Sequence, residues 1–268
     1  MKKIAFFFLS ILILGCNPDI ENSTDPEYAQ YITGGSIDQE ILFMPQEVYS
    51  TNEAQEPELK LSLISSENFP CFNYGIASSQ FMKGDELIVR FDQIIKYDLC
   101  LTAFGPATSI IDLPPMIKKL TFINGNRIDQ YSIDITEKSI AISSLNHEFT
   151  SSLYENTFRL PENSFAFVCG TNTDNGHIYT DFMALLEQNP AFTEFEFEGE
   201  GRIPYPVSSS GNWLNFPSRY FIYDDIEAFY DLATVLNDFT ATNIEENSGV
   251  TISLNSWNNI HYYSWIDN

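Results

Sequence analysis

Cys169 and His177 have the residue types of a thiol nucleophile and its general base. Cys169 follows the apolar run 164–168, which predicts a strand, and a helical pattern begins shortly afterwards. The thiol would therefore lie near a helix N-terminus, where the pKa of a cysteine falls. A cysteine peptidase or transferase would need this arrangement. A cysteine in an apolar run is also typical of a small buried hydrophobic residue, and both interpretations stay open.

A second candidate site is a group of aromatic residues in and beside a long loop rich in Pro, Gly and Ser, residues 199–218. Exposed aromatic rings can stack on sugar rings or anchor a protein partner, and long loops often carry function. The alternative is that these rings fill the core. The candidate ligand-binding residues are Tyr205, Trp213, Phe216 and Tyr220.

Other catalytic and cofactor motifs do not occur in the sequence. No glycine-rich phosphate loop follows a predicted strand, and the three histidines are far apart, without C-x-x-C or H-E-x-x-H spacing. The G-x-S-x-G motif of serine hydrolases is also missing. Carboxylates are so numerous that no single pair for glycoside hydrolysis stands out. The sequence therefore predicts no catalytic residue, no metal and no cofactor.

The chain is strongly acidic, with 13 Lys and Arg residues against 37 Asp and Glu residues and a formal net charge of −24. Nucleic acids are excluded as partners, because a basic surface is needed to release counterions from a polyphosphate. Anionic lipid headgroups would also repel the protein. The charge suits a cationic protein, so an acidic inhibitor or immunity-type protein is one alternative function.

The N-terminal residues have the order of a secretory signal peptide. Two lysines precede an apolar run, residues 4–14, in which Ser10 is the one polar residue, and Gly15 and Cys16 follow. As a helix this run would span only about 16 Å, against about 30 Å for the hydrocarbon core of a bilayer. It therefore predicts a removable signal peptide rather than a transmembrane anchor.

The four residues Ile13-Leu14-Gly15-Cys16 resemble a bacterial lipobox. The resemblance implies cleavage after Gly15, a diacylglyceryl group on the Cys16 sulfur and acylation of the new amino terminus. The acidic cluster after Cys16 is similar to the surface-export signals of Bacteroidota envelope lipoproteins, which implies a lipid-anchored protein of the outer membrane, facing the periplasm or the cell surface. The alternative is an ordinary signal peptide that contains a cysteine.

If Cys16 carries lipid, three cysteines remain and at most one internal disulfide can form. Cys71 and Cys100 are the preferred pair, since both lie in one predicted β domain and export favours oxidation. Three reduced, buried thiols are the alternative.

Composition and periodicity predict an α+β chain with four parts. Residues 1–15 are the signal peptide, 16–58 an acidic tether without Lys or Arg before Leu59, 59–145 a β domain and 146–268 an α+β domain. Seven short β-type runs separated by turn signals predict an immunoglobulin-like β-sandwich for the β domain. The order β-α-β-β-α-β predicts a small α/β domain of the ferredoxin-like, split βαβ type. One of its helices begins after Asp224 or Asp225.

These observations predict a lipid-anchored envelope protein with a non-catalytic binding or structural role. Its partners would be the membrane, through Cys16, and a glycan or protein ligand. An envelope hydrolase or cysteine-dependent enzyme is the other alternative function.

Overall fold

The computed structural model of the protein describes residues 26–207 and 214–266. Within these residues the chain forms sixteen strands and two α-helices. Ten strands form the first sheet: β1 (Ile41–Val48), β2 (Glu58–Phe69), β3 (Gly75–Lys83), β4 (Glu86–Ile95), β5 (Gly105–Asp112), β6 (Lys119–Asn124), β7 (Arg127–Ile135), β8 (Ser139–Asn146), β9 (Thr150–Ser152) and β10 (Asn156–Phe158).

The first sheet curls back on itself. Its strand order is β10-β8-β7-β6-β4-β3-β5-β2-β1-β9, so β9 and β10 lie at opposite ends of the sheet although they are consecutive in the chain. β9 runs parallel to β1, and β10 runs antiparallel to β8. Because only a short linker joins β9 to β10, the two ends of the sheet must come close together.

Apolar side chains from alternating strand positions fill the inside of this curl. The ring centroid of Phe43 in β1 lies 4.7 Å from that of Phe122 in β6 and 4.9 Å from that of Tyr131 in β7. All three side chains are buried. The alternating burial of β1 and β7 follows from the period of two along a strand, which points successive side chains to opposite faces.

The second sheet carries both helices. Its strands are β11 (Ser164–Thr171), β12 (Phe192–Phe195), β13 (Leu214–Asn215), β14 (Arg219–Tyr223), β15 (Val250–Ser256) and β16 (His261–Tyr263). The order is β12-β14-β11-β15-β16, all antiparallel, and β13 pairs with β11. The helices are α1 (His177–Gln188) and α2 (Ile226–Asn243).

Both helices pack against the second sheet. Asp225 begins α2, since its side chain accepts a hydrogen bond from the backbone N–H of Glu227 at 3.1 Å and satisfies a free N-terminal donor. Apolar residues of α1 and α2 share one buried cluster with those of β11 and β15: Ile178, Phe182, Leu186, Phe229, Leu232, Leu236, Phe165, Phe167 and Ile252. Neither of the two α-helices in residues 26–207 and 214–266 is long and apolar enough to cross a bilayer.

The predicted fold class, an immunoglobulin-like sandwich followed by a small ferredoxin-like α/β domain, is wrong. The described chain is mostly β, and its first ten strands form one curled mixed sheet rather than two facing antiparallel sheets. The second sheet has six strands, so β13 and β16 extend it beyond the four strands of a split βαβ unit. Alternation along a strand specifies which face is buried, but it does not say whether strands close into one sheet or two.

Much of the segment predicted as an acidic tether is part of the first sheet. Tyr28 is buried, and its hydroxyl donates to Glu86 at 2.7 Å and accepts from Lys119 Nζ at 2.9 Å. Ile37 exchanges two backbone hydrogen bonds with the side chain of Asn124. β1 then pairs along its whole length with β2. Apolar residues at alternate positions, beginning with Ile41 and Phe43, supply the core contacts that outweigh the acidic composition.

Candidate functional site

The four aromatic candidates from the sequence lie in different environments. Tyr220 is a core residue, 5% exposed, and its hydroxyl donates to the backbone oxygen of Pro204. Phe216 stacks on Tyr179 of α1 with ring centroids 4.4 Å apart. Trp213 and the lipidation candidate Cys16 lie outside the described residues. Tyr205 lies at the junction between the two sheets, which is the best candidate site in the described chain.

Hydrogen bonds between loops hold the two sheets together. The Tyr49 hydroxyl, just after β1, donates to the backbone oxygen of Trp257 at 2.8 Å. The backbone N–H of Phe158, at the end of β10, donates to the backbone oxygen of Arg202 at 2.8 Å. The end of β1 and the residues around β10 therefore lie against the loop that contains Tyr205.

A cleft of about 240 Å³ lies where these segments meet, and we call it the junction cleft. Its lining combines charged groups, hydroxyls and rings from the first sheet and its loops with those of the loop after β12. The residues that matter for its chemistry are Glu47, Tyr49, Thr157, Arg159, Arg202 and Tyr205. A small concave site with a few convergent polar groups is typical of ligand binding.

A fixed ion pair forms one part of the cleft. Arg159 Nε donates to Glu47 Oε1 at 2.7 Å, and the two side chains are only 19% and 17% exposed. A further hydrogen bond, from Arg159 Nη1 to the backbone oxygen of Thr136 at 2.7 Å, holds the guanidinium in place. Burial raises the pKa of Glu47, and Arg159 opposes that rise. The pair thus offers a carboxylate of fixed orientation to a ligand.

Tyr205 is held in a backbone conformation that favours glycine. Its φ is +49°, and bulky residues with positive φ are uncommon because the side chain meets the backbone. The Ser218 hydroxyl donates to the backbone oxygen of Tyr205 at 2.6 Å, and this bond helps to keep the loop in place. Strain of this kind clusters at functional sites. It is therefore a second indication that this loop has a binding role.

The two phenols of the cleft remain hydrogen-bond donors at neutral pH. Burial raises the pKa of Tyr205 to about 12 and also raises the pKa of Tyr49 above its ordinary value. Tyr49 already donates to Trp257. Tyr205 is therefore the phenol that can donate to a ligand.

Two further polar groups of the cleft are uncommitted. Thr157 is only 4% exposed, and its hydroxyl has no hydrogen-bond partner. The Arg202 guanidinium forms no ion pair with any carboxylate of residues 26–207 and 214–266. The Thr157 oxygen has almost no accessible surface, so Arg202 is the uncommitted group that a ligand in the cleft can reach.

Sequence reasoning found Tyr205 but missed the other groups of the junction cleft. Glu47 and Arg159 are separated by 112 positions, so no local spacing connects them. Glu47 was one acidic residue among many in a presumed tether. The one usable signal was the Pro-rich loop around Tyr205, because a long loop in a compact domain is often functional.

Cys169 does not have the surroundings of a reactive thiol. It is 1% exposed in the core of the second sheet, and burial raises its pKa to about 12. The thiol is therefore protonated at neutral pH and out of contact with solvent, whereas a nucleophilic cysteine needs a lowered pKa and access. The other two described cysteines, Cys71 and Cys100, form a disulfide.

We expect that Cys169→Ala leaves ligand binding unchanged and that the native protein resists alkylation at this position. Mass spectrometry after iodoacetamide treatment, with and without denaturant, measures this. On the chain from residue 16 with Cys16→Ser, one added group only in denaturant is the expected result, because Cys71 and Cys100 are oxidised. Rapid alkylation of Cys169 in the native protein would contradict the assignment.

In the described part of the chain, no group of three or more His, Cys, Asp and Glu side chains is placed to hold a metal ion.

Comparisons of the chain with protein-family models, with curated proteins and with solved structures found no match. The interpretation of the junction cleft therefore rests on its own residues.

Proposed function

We propose that this protein is a lipid-anchored protein of the bacterial envelope that binds the end of a glycan in the junction cleft and has no catalytic role. The lipobox-like residues before and at Cys16 support the anchor. The observation that carries the binding role is the combination, in one cleft, of the Arg202 guanidinium, which forms no ion pair with a described carboxylate, and the strained Tyr205. The lipid would hold the cleft at the membrane, since two or more acyl chains anchor stably.

The size and lining of the junction cleft support a sugar ring as the ligand. Its volume is about 240 Å³, slightly below the usual range of about 300–1,000 Å³ for pockets that bind whole small molecules. That space suits one sugar unit and is too small for a folded protein element. Arg202 and the Tyr205 hydroxyl can donate to sugar oxygens, and Glu47 can accept from sugar hydroxyls. The rings of Tyr205 and Phe158 supply apolar faces.

The carboxylates of the cleft support binding rather than hydrolysis. Glycoside hydrolysis requires two carboxyl groups on either side of the scissile bond. Among the described residues that line the cleft, Glu47 is the only acidic one. Its carboxylate is already engaged by Arg159.

Tyr205→Asn is expected to weaken sugar binding at least about tenfold, which corresponds to a loss of about 1.4 kcal/mol. Asparagine tolerates positive φ, so the loop should keep its conformation while the ring and the phenol are lost. Saturation-transfer NMR with glucose, N-acetylglucosamine and glucuronate measures the binding, and a melting curve confirms the fold. Tyr230→Ala, an exposed tyrosine on α2, is the matched control and should bind normally.

Arg202→Gln separates recognition of charge from recognition of shape. Because the Arg202 guanidinium has no ion pair among the described carboxylates, we expect glucuronate to bind more tightly than glucose and the variant to abolish this difference. If the folded wild-type protein binds none of the three sugars, or if Tyr205→Asn binds them as well as the wild type does, the proposal is wrong.

A further inference from the structure

Two loops of the first sheet form an exposed apolar surface at one end of the molecule. Residues 70–74 connect β2 to β3, and residues 96–104 connect β4 to β5. We call the five large apolar side chains of these loops the apolar tip: Phe72 (52% exposed), Tyr97 (52%), Leu99 (72%), Leu101 (40%) and Phe104 (80%). Large exposed apolar patches on a protein surface are usually interaction sites.

The disulfide ties the two loops of the apolar tip together. Cys71 and Cys100 lie one in each loop, each next to residues of the tip. The packing is close, since a Cβ added at Gly105 would lie 2.9 Å from the Cβ of Phe72. The outward-facing apolar side chains are therefore carried by a constrained structure.

The backbone of the apolar tip forms hydrogen bonds within the tip itself. The side chain of Asn73 donates to the backbone oxygen of Leu99 at 2.6 Å and accepts from the N–H of Leu101 at 3.2 Å. The N–H groups of Phe72 and Ala103 both donate to the backbone oxygen of Leu101. A segment that moves from water into an apolar medium needs its backbone N–H and C=O groups hydrogen-bonded within itself, because unpaired backbone groups are costly there.

The apolar tip is electrically neutral on a strongly acidic protein. Its two loops contain one basic residue, Lys96, and one acidic residue, Asp98, whereas the chain has a formal charge of −24. A second copy of the chain carries the same large negative charge and would be repelled. An anionic bilayer would be repelled for the same reason. A bilayer of zwitterionic lipid has an apolar interior and no net surface charge. It therefore suits the neutral, apolar surface of the tip.

The chain before the described residues is long enough for the apolar tip to reach the membrane that would hold Cys16. The Tyr28 hydroxyl is hydrogen-bonded to Glu86, the first residue of β4. The second loop of the tip begins after Ile95, the last residue of the same strand. The ten residues of β4 span about 33 Å, and the ten residues 16–25 span at most about 35 Å when fully extended. The protein can therefore turn its tip towards the same bilayer.

We propose that the apolar tip inserts into the interface of a zwitterionic bilayer and orients the protein on the membrane. The anchored orientation rests on the proposed lipid at Cys16, but insertion of the tip does not. Leu and Phe side chains would enter the boundary between headgroups and acyl chains, and Tyr97 with Lys96 would stay at headgroup level.

Binding to phosphatidylcholine vesicles tests the proposal on the mature chain from residue 16 with Cys16→Ser, which has no lipid of its own. We expect the protein to float with the vesicles and the double variant Leu99→Asp, Phe104→Asp to bind at least tenfold more weakly. Met116→Asp is the matched control, because Met116 is 82% exposed and lies outside the tip, and it should bind as the parent does. Melting curves check that all three chains are folded.

A second variant reports the location of the tip directly. Leu99→Trp should show a blue shift of tryptophan emission when phosphatidylcholine vesicles are added, relative to the parent chain. If the parent does not bind these vesicles, or if the tip variant and Met116→Asp bind equally, the proposal is overturned. The tested chain carries serine at position 16 and no lipid. A failure of this experiment would therefore not bear on the proposed lipid anchor or on the junction cleft.

Discussion

Replacing Asp129 by alanine is expected to lower the free energy of unfolding by about 3–6 kcal/mol. Asp129 is completely buried in β7, and its carboxylate accepts hydrogen bonds from the backbone N–H groups of Glu148, Phe149 and Thr150 at 2.8, 3.0 and 2.7 Å. The Thr150 hydroxyl donates to it as well, at 2.6 Å. Each buried donor left without a partner costs about 1–3 kcal/mol, and three backbone donors would lose theirs. The upper limit is about 6 rather than about 9 kcal/mol because the N–H of Glu148 is only part-buried and can bind water.

The position of Asp129 explains why its loss affects the whole first sheet. The residues that it binds lead into β9, which pairs with β1 at one end of the curled sheet. Urea denaturation followed by circular dichroism measures the change. Asp134→Ala is the matched control, because Asp134 is an exposed carboxylate on the same strand, and it should change stability by less than about 0.5 kcal/mol. Equal stability of both variants would contradict the role given to Asp129.

Removing the disulfide with Cys71→Ser and Cys100→Ser is expected to cost about 3–4 kcal/mol. The bond joins residues 29 positions apart, and closing a loop of that length in the unfolded chain gives this value in the chain-entropy model. The double variant avoids an unpaired thiol in the tip. Denaturation of the wild type and of this variant under the same non-reducing conditions measures the difference.

The disulfide variant should also alter the apolar tip more than the rest of the protein. Hydrogen exchange should rise in residues 70–74 and 96–104, which the bond connects, and stay low in the second sheet. Cys169→Ala provides the control for loss of a sulfur elsewhere, since it buries no new polar group. A change in stability below about 1 kcal/mol would mean that the loops are held by their hydrogen bonds alone.

Local sequence patterns predicted many single elements of this fold. Alternation identified strands such as β7, and the apolar face after Asp225 identified α2. These signals are local, because they depend on which face of one element is buried. One of the seven β-type runs, residues 98–104, precedes β5 and forms part of the apolar tip instead of a strand. Leu99 and Leu101 alternate as in a strand, but both side chains are exposed.

Assembly of the elements could not be predicted in the same way. The sheet curls because β9 pairs with β1, about 110 positions earlier in the chain, whereas β10 pairs with the nearby β8 at the other end of the sheet. No residue near β9 specifies β1 as its partner. β1 lies in the segment that its acidic composition predicts as a tether, although residues 40–44 also have the pattern of a short strand and Ile41 and Phe43 are fully buried. The junction cleft is likewise made by residues far apart in the chain, from the first sheet and from the loop after β12. Long-range pairing is set by the whole packed structure, so single-sequence patterns do not determine it.

The placement of this protein in the envelope is the claim on which the proposed function depends, and the intact mass of the protein purified from its native membrane tests it most directly. We expect a mass that begins at Cys16 and includes acyl chains, with Cys71 and Cys100 protected from alkylation unless a reductant is added. A chain whose Cys16 carries no lipid, or one that is recovered without membrane, would contradict the account.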